Sequence, residues 1–377
     1  MDFQLSEQDL AVLEMVKKLA VSELAPKAAE IDERSAFATA HVPKLAELGI
    51  MGMNLPESAG GAGISPIALF LAVEAMAGAC ASTASLVTAH FLATDAIHLG
   101  GGEALKRRYL PDAAAGRTLG AFALTEPAAG SNPADMRTTA VAEAGGYRLR
   151  GVKHFISNAA AADFIVVFAL SDPAAGHRGI SAFVVERASA GVSVGSAERT
   201  MGLKGGHIFE IGLDCVVPEA QRIGLAGSGY RTAMRVLDNG RVEIAAMALG
   251  IAAAAFAAAL AWTKERRVGG AALAELQGIQ WMLADMATEM EAARLLGLRA
   301  AWLREQGRPF AKEAAMAKLF ASEMAAKVTD LALQIHGGYG YTRALPLERY
   351  VRDARILRIF EGSSEIQRNI IARSLLK

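Results

Sequence analysis

The hydrophobic periodicity of this chain changes twice, and that change constrains the fold more than any other feature. Apolar residues recur at helical spacing up to about residue 115, short β-type runs follow from about 120 to 220, and helical spacing returns from about 228. Each period demands its own packing, so the sequence predicts an α+β, mainly α protein. We place three domains at 1–118, 119–224 and 225–377.

Two patterns typical of helix starts occur in the first region. Ser6 stands three residues before Asp9, and apolar residues follow at helical spacing from Leu10 to Leu19. Ser65 before Pro66 combines an N-cap residue with proline at the first helical position. Pro26 is expected to end or kink the first helix, because proline lacks the backbone donor that a helix interior needs.

The second region consists of short β-type runs separated by turn residues. One run alternates after a Gly-Gly turn, and three more are rich in β-branched and aromatic residues. They predict a small antiparallel sheet or barrel. The four runs are Tyr147–Arg150, Phe164–Phe168, Ala182–Val185 and Cys215–Val217.

Long helices return in the third region. The segments Asp285–Leu296 and Lys312–Ile335 are amphipathic, and Pro309 and Pro346 fall between helical segments. This pattern predicts a helix bundle with short connections.

The segment from Ile244 to Trp262 is uncharged and long enough to span a bilayer. Most of it is alanine, which is weakly apolar, and the charged Arg241 and Glu243 lie just upstream. We therefore predict a helix buried in a tightly packed bundle, with no membrane as partner.

Composition excludes several classes of function. The 39 basic and 39 acidic residues give a net charge of +0 without a basic stripe, so nucleic-acid binding has no electrostatic support. The seven histidines are scattered, so we predict no metal site. Two distant cysteines, Cys80 and Cys215, and an N-terminus without the pattern of a signal peptide predict a cytoplasmic protein.

Glu361 is the first candidate catalytic residue. It precedes Gly362, which permits close approach of a ligand, and Ser363, which can cap a helix. A carboxylate held at such a turn is suited to general-base catalysis. An ordinary acid at a helix start, stabilised by the helix dipole, is the alternative.

Two further segments have the composition of ligand-binding loops. The small-residue loop Ala128–Ser131 offers backbone N–H groups of the kind that hold phosphates or a flavin edge, although a surface turn fits equally. Gln334–Tyr341 is rich in glycine after a long helix, and its alternative is a helix C-cap. Its glycine spacing excludes the dinucleotide fingerprint.

Taken together, the motifs resemble those of the acyl-CoA dehydrogenase family over essentially the whole chain. They occur in the order typical of that family: Leu124-Thr125-Glu126-Pro127-x-x-Gly130-Ser131, Lys153-His154-Phe155-Ile156-Ser157-Asn158, Asp238-Asn239-Gly240-Arg241, Lys264-Glu265-Arg266 with Gln277, Gln334-x-x-Gly337-Gly338-x-Gly340, and Glu361-Gly362-Ser363.

The resemblance implies an N-terminal helical domain, a middle antiparallel β-barrel and a C-terminal four-helix bundle, with FAD between the barrel and the bundle. It further implies conversion of an acyl-CoA thioester to the trans-2-enoyl-CoA. Glu361 would take the α-proton, the flavin would take the β-hydrogen as hydride, and electrons would leave to an electron-transfer flavoprotein. Burial beside an apolar acyl chain should raise the pKa of Glu361 toward neutrality.

Residue roles follow from the same resemblance. Arg266 and Gln277 would reach the FAD of a neighbouring subunit, and Gln334 with its glycines would contact adenine across another interface, so a homo-oligomer, most simply a tetramer, is expected. For Arg241 an ion pair within the bundle is the alternative to CoA binding. Substrate contacts are assigned to Ser131, Asp238, Arg241 and Gly362. Cofactor contacts are assigned to Phe122, Leu124, Thr125, Ser131, Phe155, Ile156, Ser157, Arg266, Gln277, Gln334, Gly337, Gly338, Ser363 and Glu365.

The chain departs from the family pattern at several positions. Asn132 stands where Asp is usual, Gly269 where many members have Phe, and Phe155 where Trp is common. Some relatives carry the base just before the arginine of the third motif; this chain has Gly240 there, which leaves Glu361 without a rival.

Three alternatives share this scaffold: an acyl-CoA oxidase, a desulfinase, and a DNA-binding flavoprotein, the last disfavoured by the absence of a basic extension. The acyl pocket is expected near Ala84–Thr94 and the start of the third region. The lack of arginine in Ala84–His90 argues against a dicarboxylic acyl group, and we expect a short or branched one.

Overall fold

The computed structural model describes residues 3–376, so Met1, Asp2 and Lys377 at the outer edges of the predicted domains lie outside the described part. Helical regions at both ends enclose a central sheet, which confirms the predicted fold class. The helices are α1 Glu7–Leu19, α2 Ala25–Arg34, α3 Val42–Glu47, α4 Pro66–Ala79, α5 Ala81–Gly100, α6 Glu103–Ala114, α7 Gly229–Glu265, α8 Gln277–Glu305, α9 Ala311–His336, α10 Gly338–Tyr341, α11 Leu347–Arg355 and α12 Ser364–Leu375.

Both predicted helix starts in the first region are present. The Ser6 hydroxyl accepts the Asp9 N–H at 3.1 Å while the Asp9 carboxylate accepts the Ser6 N–H at 3.4 Å, a reciprocal capping box. The Ser65 hydroxyl accepts the N–H of Ala68 at 3.1 Å.

The structure corrects the expectation for Pro26. The chain passes from α1 through one π-helical turn, Ala20–Leu24, directly into α2. Pro26 lies in the first turn of α2, so the expected end of the helix does not occur, and the π turn just before Pro26 interrupts the regular α-helix. The π turn shifts the backbone hydrogen-bond pattern, so the helix continues past a residue that has no N–H to donate.

All four predicted β runs lie within strands of the central sheet. The sheet order is β6-β7-β3-β2-β4-β5-β8, with β1 beside β4. Most pairs are antiparallel, but β1 pairs with β4 in parallel, and one residue pair joins β2 to β4 in parallel. Within residues 3–376 no pairing joins β6 to β8, so the hydrogen-bonded order is open. The strands are β1 Gly120–Ala123, β2 Thr139–Glu143, β3 Gly146–Ser157, β4 Phe164–Leu170, β5 Ile180–Glu186, β6 Val192–Val194, β7 Ile208–Pro218, β8 Arg222–Ile223, β9 Arg267–Val268 and β10 Ala271–Ala272.

Helix α7 is the central element of the C-terminal region and packs against α4, α5, α8 and α9. By length and composition it could cross a bilayer, yet 61% of its most apolar 18-residue stretch is buried inside the protein. Several of its alanines, among them Ala245, Ala248 and Ala252, are fully buried, and their small side chains let neighbouring backbones approach closely. This burial is what the sequence predicted for the uncharged segment.

Candidate functional site

Glu361 lies on a turn between α11 and α12 whose backbone is unusual. Its φ is 52° and that of Gly362 is 93°, so two consecutive residues adopt left-handed conformations. Lys318 Nζ donates a hydrogen bond to the Gly362 carbonyl at 2.7 Å. Gln367 Nε2 donates to the same carbonyl at 2.8 Å and to the Glu361 carbonyl at 3.2 Å. Side chains from α9 and α12 therefore hold the turn.

The Glu361 carboxylate is directed against helix α7. Its Oε2 atom is buried and has no hydrogen-bond partner within residues 3–376. A Cβ placed on Gly240 would lie 2.1 Å from this oxygen and 2.9 Å from Leu92 Cδ2 of α5. The carboxylate thus occupies the space beside the Gly240 backbone, so position 240 and residue 361 meet at one point in space.

Burial raises the pKa of Glu361 to about 7, while the positive charges of Lys318 and Arg241 act in the opposite direction. The residue as a whole is half-buried, whereas its Oε2 atom is fully buried. A carboxyl group of this kind can accept a proton near neutral pH.

Two charged residues beside Glu361 were missed by the sequence analysis. Lys318 is fully buried on α9, and burial lowers its pKa to about 8. Glu243 on α7 is buried, neither of its carboxylate oxygens has a partner among the described residues, and burial raises its pKa well above the usual value. The available signal was a charged residue on the apolar face of a helix, as at Lys318 among Ala314, Ala315 and Ala317.

Arg241 forms the ion pair that was the alternative to CoA binding. Its Nη1 lies 2.5 Å from Oδ1 of Asp238 on the same helix, and the side chain is almost completely buried. Asp238 also lines a cavity of about 300 Å³ together with Arg235 and Arg304. Arg241 also acts by its charge on Glu361, and its role toward the CoA side stays a prediction.

The loop after β1 is anchored by a buried ion pair. Lys153 Nζ lies 2.8 Å from Glu126 Oε1, and Glu126 also accepts the N–H groups of Arg137 at 2.6 Å and Thr138 at 3.0 Å. Glu126 is therefore structural. It fixes the loop on which Thr125 and the exposed Ser131 lie.

A backbone hydrogen bond also joins these two predicted cofactor segments. The His154 N–H donates to the Thr125 carbonyl at 2.9 Å. The β3–β7 register shifts between Lys153 and Ile156, and Phe155 within this irregularity has φ 58° and is 56% exposed. Ile156 is buried behind it, and Ser157 ends the strand. Phe122 lies in β1 and packs on Phe168 of β4, and the buried Leu124 directly follows β1.

Arg266, Gly337 and Gly338 line one cavity of about 440 Å³. Trp262, His336 and Tyr339 complete an aromatic wall, in which the Trp262 and His336 rings stack at 5.0 Å and the Arg266 guanidinium lies 5.8 Å from the Tyr339 ring centre. We expected Arg266 and the two glycines to serve two separate interfaces, and within one chain they line the same cavity.

The remaining predicted cofactor residues lie near this cavity or the base. Gln334 accepts the Gly337 N–H through its carbonyl at 3.0 Å and is exposed beside the cavity. Gln277 is exposed at the start of α8 outside the cavity lining. Ser363 bonds the exposed Glu365, whose pKa it lowers. No cluster of three or more metal-ligand side chains occurs between residues 3 and 376.

The two groups of residues fit the chemistry of FAD. A flat, half-exposed aromatic next to backbone and hydroxyl groups suits an isoalloxazine ring, and an arginine beside stacked aromatic rings and glycines suits a pyrophosphate and a purine.

Comparison with known proteins gives a consistent result. Family models for the N-terminal, middle and C-terminal domains of acyl-CoA dehydrogenase match residues 6–117, 121–216 and 227–376. An acryloyl-CoA reductase (NADH) of Anaerotignum propionicum is 43% identical over 380 residues, 100% of this chain and 96% of the relative. A short-chain specific acyl-CoA dehydrogenase of Clostridium acetobutylicum is 41% identical over 379 residues, with 100% of both chains covered.

A solved chain described with the electron transferring flavoprotein of Acidaminococcus fermentans superposes with a TM-score of 0.98 at 41% identity, covering 100% of both chains. Sequence and architecture therefore agree along the full length. This chain belongs to the acyl-CoA dehydrogenase family of oxidoreductases.

Proposed function

We propose that this protein catalyses FAD-dependent α,β-dehydrogenation of an acyl-CoA thioester to the trans-2-enoyl-CoA, with Glu361 as the base. The observation that carries the proposal is the Glu361 carboxylate, whose Oε2 is buried and has no hydrogen-bond partner among residues 3–376. Burial raises its pKa to about 7, and Gly240 beside it leaves room for it. A base of this kind is matched to removal of a weakly acidic proton.

The protein's own groups account for the proton-transfer half of the reaction. Glu361 takes the α-proton, and the turn that carries it presents the Glu361 backbone N–H for the thioester carbonyl, where negative charge develops. Lys318 and Arg241 place positive charge near the carboxylate and favour its ionised form. FAD, when bound, supplies the hydride acceptor that no side chain can provide.

For FAD, the surface around Thr125, Phe155 and Ser157 would hold the ring, and Arg266 with Gly337 would hold the adenine end of a neighbouring subunit's cofactor. The ring surface and the adenine cavity are both open to solvent in one chain, which supports an oligomer in which a neighbouring subunit covers them. A tetramer is the expected state. Exposed apolar side chains on the C-terminal helices, Trp281 at 63% and Leu295 at 48%, support the same conclusion. Light scattering of the FAD-replete protein checks it, and a stable, active monomer would contradict it.

We propose a short acyl group as substrate and an electron-transfer flavoprotein as acceptor. The short-chain specificity of the Clostridium relative and the flavoprotein study that contains the structural neighbour support these two assignments. A cytoplasmic location remains our proposal from the sequence.

The test is rapid-mixing absorbance of the bound flavin across a panel of acyl-CoA esters. Wild-type protein should be yellow, should release FAD on acid treatment, and should bleach with short-chain substrates. Glu361→Gln should keep FAD and bind acyl-CoA but reduce its flavin at least ~10³-fold more slowly. Bleaching near the wild-type rate would place the base elsewhere.

The second candidate is the reverse reaction, since a relative 43% identical is named an NADH-dependent acryloyl-CoA reductase. Oxidation of NADH by acryloyl-CoA, followed at 340 nm with and without an electron-transfer flavoprotein, separates the two directions. Oxygen consumption and sulfite release in the same preparation check the oxidase and desulfinase alternatives.

A further inference from the structure

The turn that carries Glu361 has a conformation that its own residues do not favour. Glu361 has φ 52°, a region that residues with a side chain rarely adopt, and Gly362 follows at φ 93°. Such a conformation persists only when surrounding contacts hold it. Here those contacts come from two side chains, Lys318 on α9, distant in sequence, and Gln367 on the following helix α12.

Lys318 is an unusual donor for this purpose. Its side chain is fully buried, and its ammonium group forms a hydrogen bond with the Gly362 carbonyl at 2.7 Å but no ion pair within residues 3–376. Burying an ammonium group without a bonded carboxylate is costly. Among the charges that act on Lys318, Glu361 contributes most, ahead of Arg241, Glu323 and Glu365.

Gln367 makes the same contact without the charge. Its side-chain amide is also fully buried and donates to the carbonyls of Glu361 and Gly362. The chain therefore offers two neighbouring donors to one turn, one cationic and one neutral.

We propose that Lys318 is a positioning residue for the base, holding the Glu361–Gly362 turn through the Gly362 carbonyl and favouring the ionised Glu361 carboxylate through its charge. Gln367 shares only the first of these roles. The proposal rests on Glu361 acting as the base in the proposed function.

The charges around Glu361 define what the experiment must separate. Lys318 approaches from α9, and Arg241 approaches from α7, where it is already paired with Asp238. Glu243, also on α7, is a buried acid that interacts with Glu361. On α5, Leu92 lies beside Gly240, and Asp95 acts on Glu243 and raises its pKa. Lys318 is therefore the buried cation next to Glu361 that lacks an ion-pair partner of its own.

The test compares Lys318→Met, Lys318→Arg and Gln367→Met with wild-type protein, all loaded with FAD. The rate of flavin reduction by a short acyl-CoA is measured as a function of pH. Wild-type rate should rise with pH through a midpoint near 7, where Glu361 loses its proton. Lys318→Met should move that midpoint upward by about one unit, which makes the reaction about tenfold slower on the acidic side of both midpoints.

Gln367→Met should lower the rate at every pH while leaving the midpoint near the wild-type value, because it removes hydrogen bonds but no charge. Lys318→Arg should restore the midpoint, since it restores the charge. An unchanged midpoint in Lys318→Met, or an equal shift in Gln367→Met, would overturn the proposal.

A second measurement does not depend on turnover. Infrared difference spectra, wild type minus Glu361→Gln, follow protonation of the Glu361 carboxyl directly, and the same pair can be prepared in the Lys318→Met and Lys318→Arg backgrounds. The carboxyl band should persist to higher pH in Lys318→Met than in Lys318→Arg. If Lys318→Met does not fold, an unaltered band in Lys318→Gln refutes the electrostatic role. If none of the acyl-CoA esters reduces the flavin of the wild-type protein, the proposed function fails. The infrared titration still decides the role of Lys318 in that case.

Discussion

A methyl group added at Gly240 should impair the base without unfolding the protein. In Gly240→Ala the new Cβ would lie 2.1 Å from Glu361 Oε2, and real Cβ contacts essentially never fall below 3.0 Å. The carboxylate must therefore retreat by about 0.9 Å, the difference between these two distances. The atoms in conflict are the ends of flexible side chains, and alanine favours the helix by about 1 kcal/mol over glycine. Stability should change little.

The rate should change far more. A displacement of about 1 Å at a catalytic group can cost ~10²-fold, so flavin reduction by acyl-CoA should slow by roughly that factor. The assay is single-turnover absorbance of the bound flavin, with thermal unfolding and FAD content measured on the same samples. Gly102→Ala is the matched control, because its Cβ would meet nothing within 4 Å, and it should behave as wild type.

Coupling to Glu361 is tested in the double variant. If Gly240→Ala acts by displacing the carboxylate, it should add little to the loss already caused by Glu361→Gln. A Gly240→Ala protein that reduces its flavin within twofold of wild type would refute the reasoning, since the carboxylate beside Gly240 would then not be the group that takes the proton. Gly240→Glu is best tried with Glu361→Ala, because a side chain at either position fills the same space.

Two further predictions concern buried charges. Glu243→Gln should raise the free energy of unfolding at pH 8 but not near pH 4.5. Burial raises the pKa of Glu243 in the folded protein, so the stability of the wild-type protein falls as pH rises above the unfolded-state pKa of 4.5. The loss is about 1.4 kcal/mol per unit of pKa difference between the folded and unfolded states. Urea unfolding at both pH values measures this, and identical curves for the two proteins at pH 8 would contradict it. Glu126→Gln should destabilise the protein by ~3–5 kcal/mol, because it leaves the buried Lys153 ammonium without a carboxylate to balance its charge. The double variant Glu126→Gln/Lys153→Met should recover part of this loss in the same unfolding experiment, and full additivity of the two single effects would argue against a buried pair.

Local features of the fold were predictable from the sequence because they depend on neighbouring residues. The Ser6 and Ser65 caps, the four β runs and the long amphipathic helices each follow from a pattern a few residues long. Pro26 shows where this reasoning is insufficient. The π turn before it lets the helix continue, and nothing in the local pattern specifies such a turn.

Glu361 could be named from the sequence, but its environment could not. The groups that set its position and pKa are Gly240 on α7, Lys318 on α9 and Gln367 on α12. These three residues are separated from one another by tens of residues in the chain. The local sequence around each of them is typical of an ordinary helix and does not indicate a site. Similarly, Arg266 and Gly337 were expected at separate interfaces, and only the packing of α7 against α9 places them in one cavity.

The sequence by itself thus determined the order of helical and β regions, the helix caps and the identity of the candidate base. Tertiary structure decided that the base is buried, that its turn is left-handed and that a lysine stands beside it. The physical reason is that periodicity and capping are properties of adjacent residues, whereas a pKa depends on burial and on charges that reach the same point from different helices.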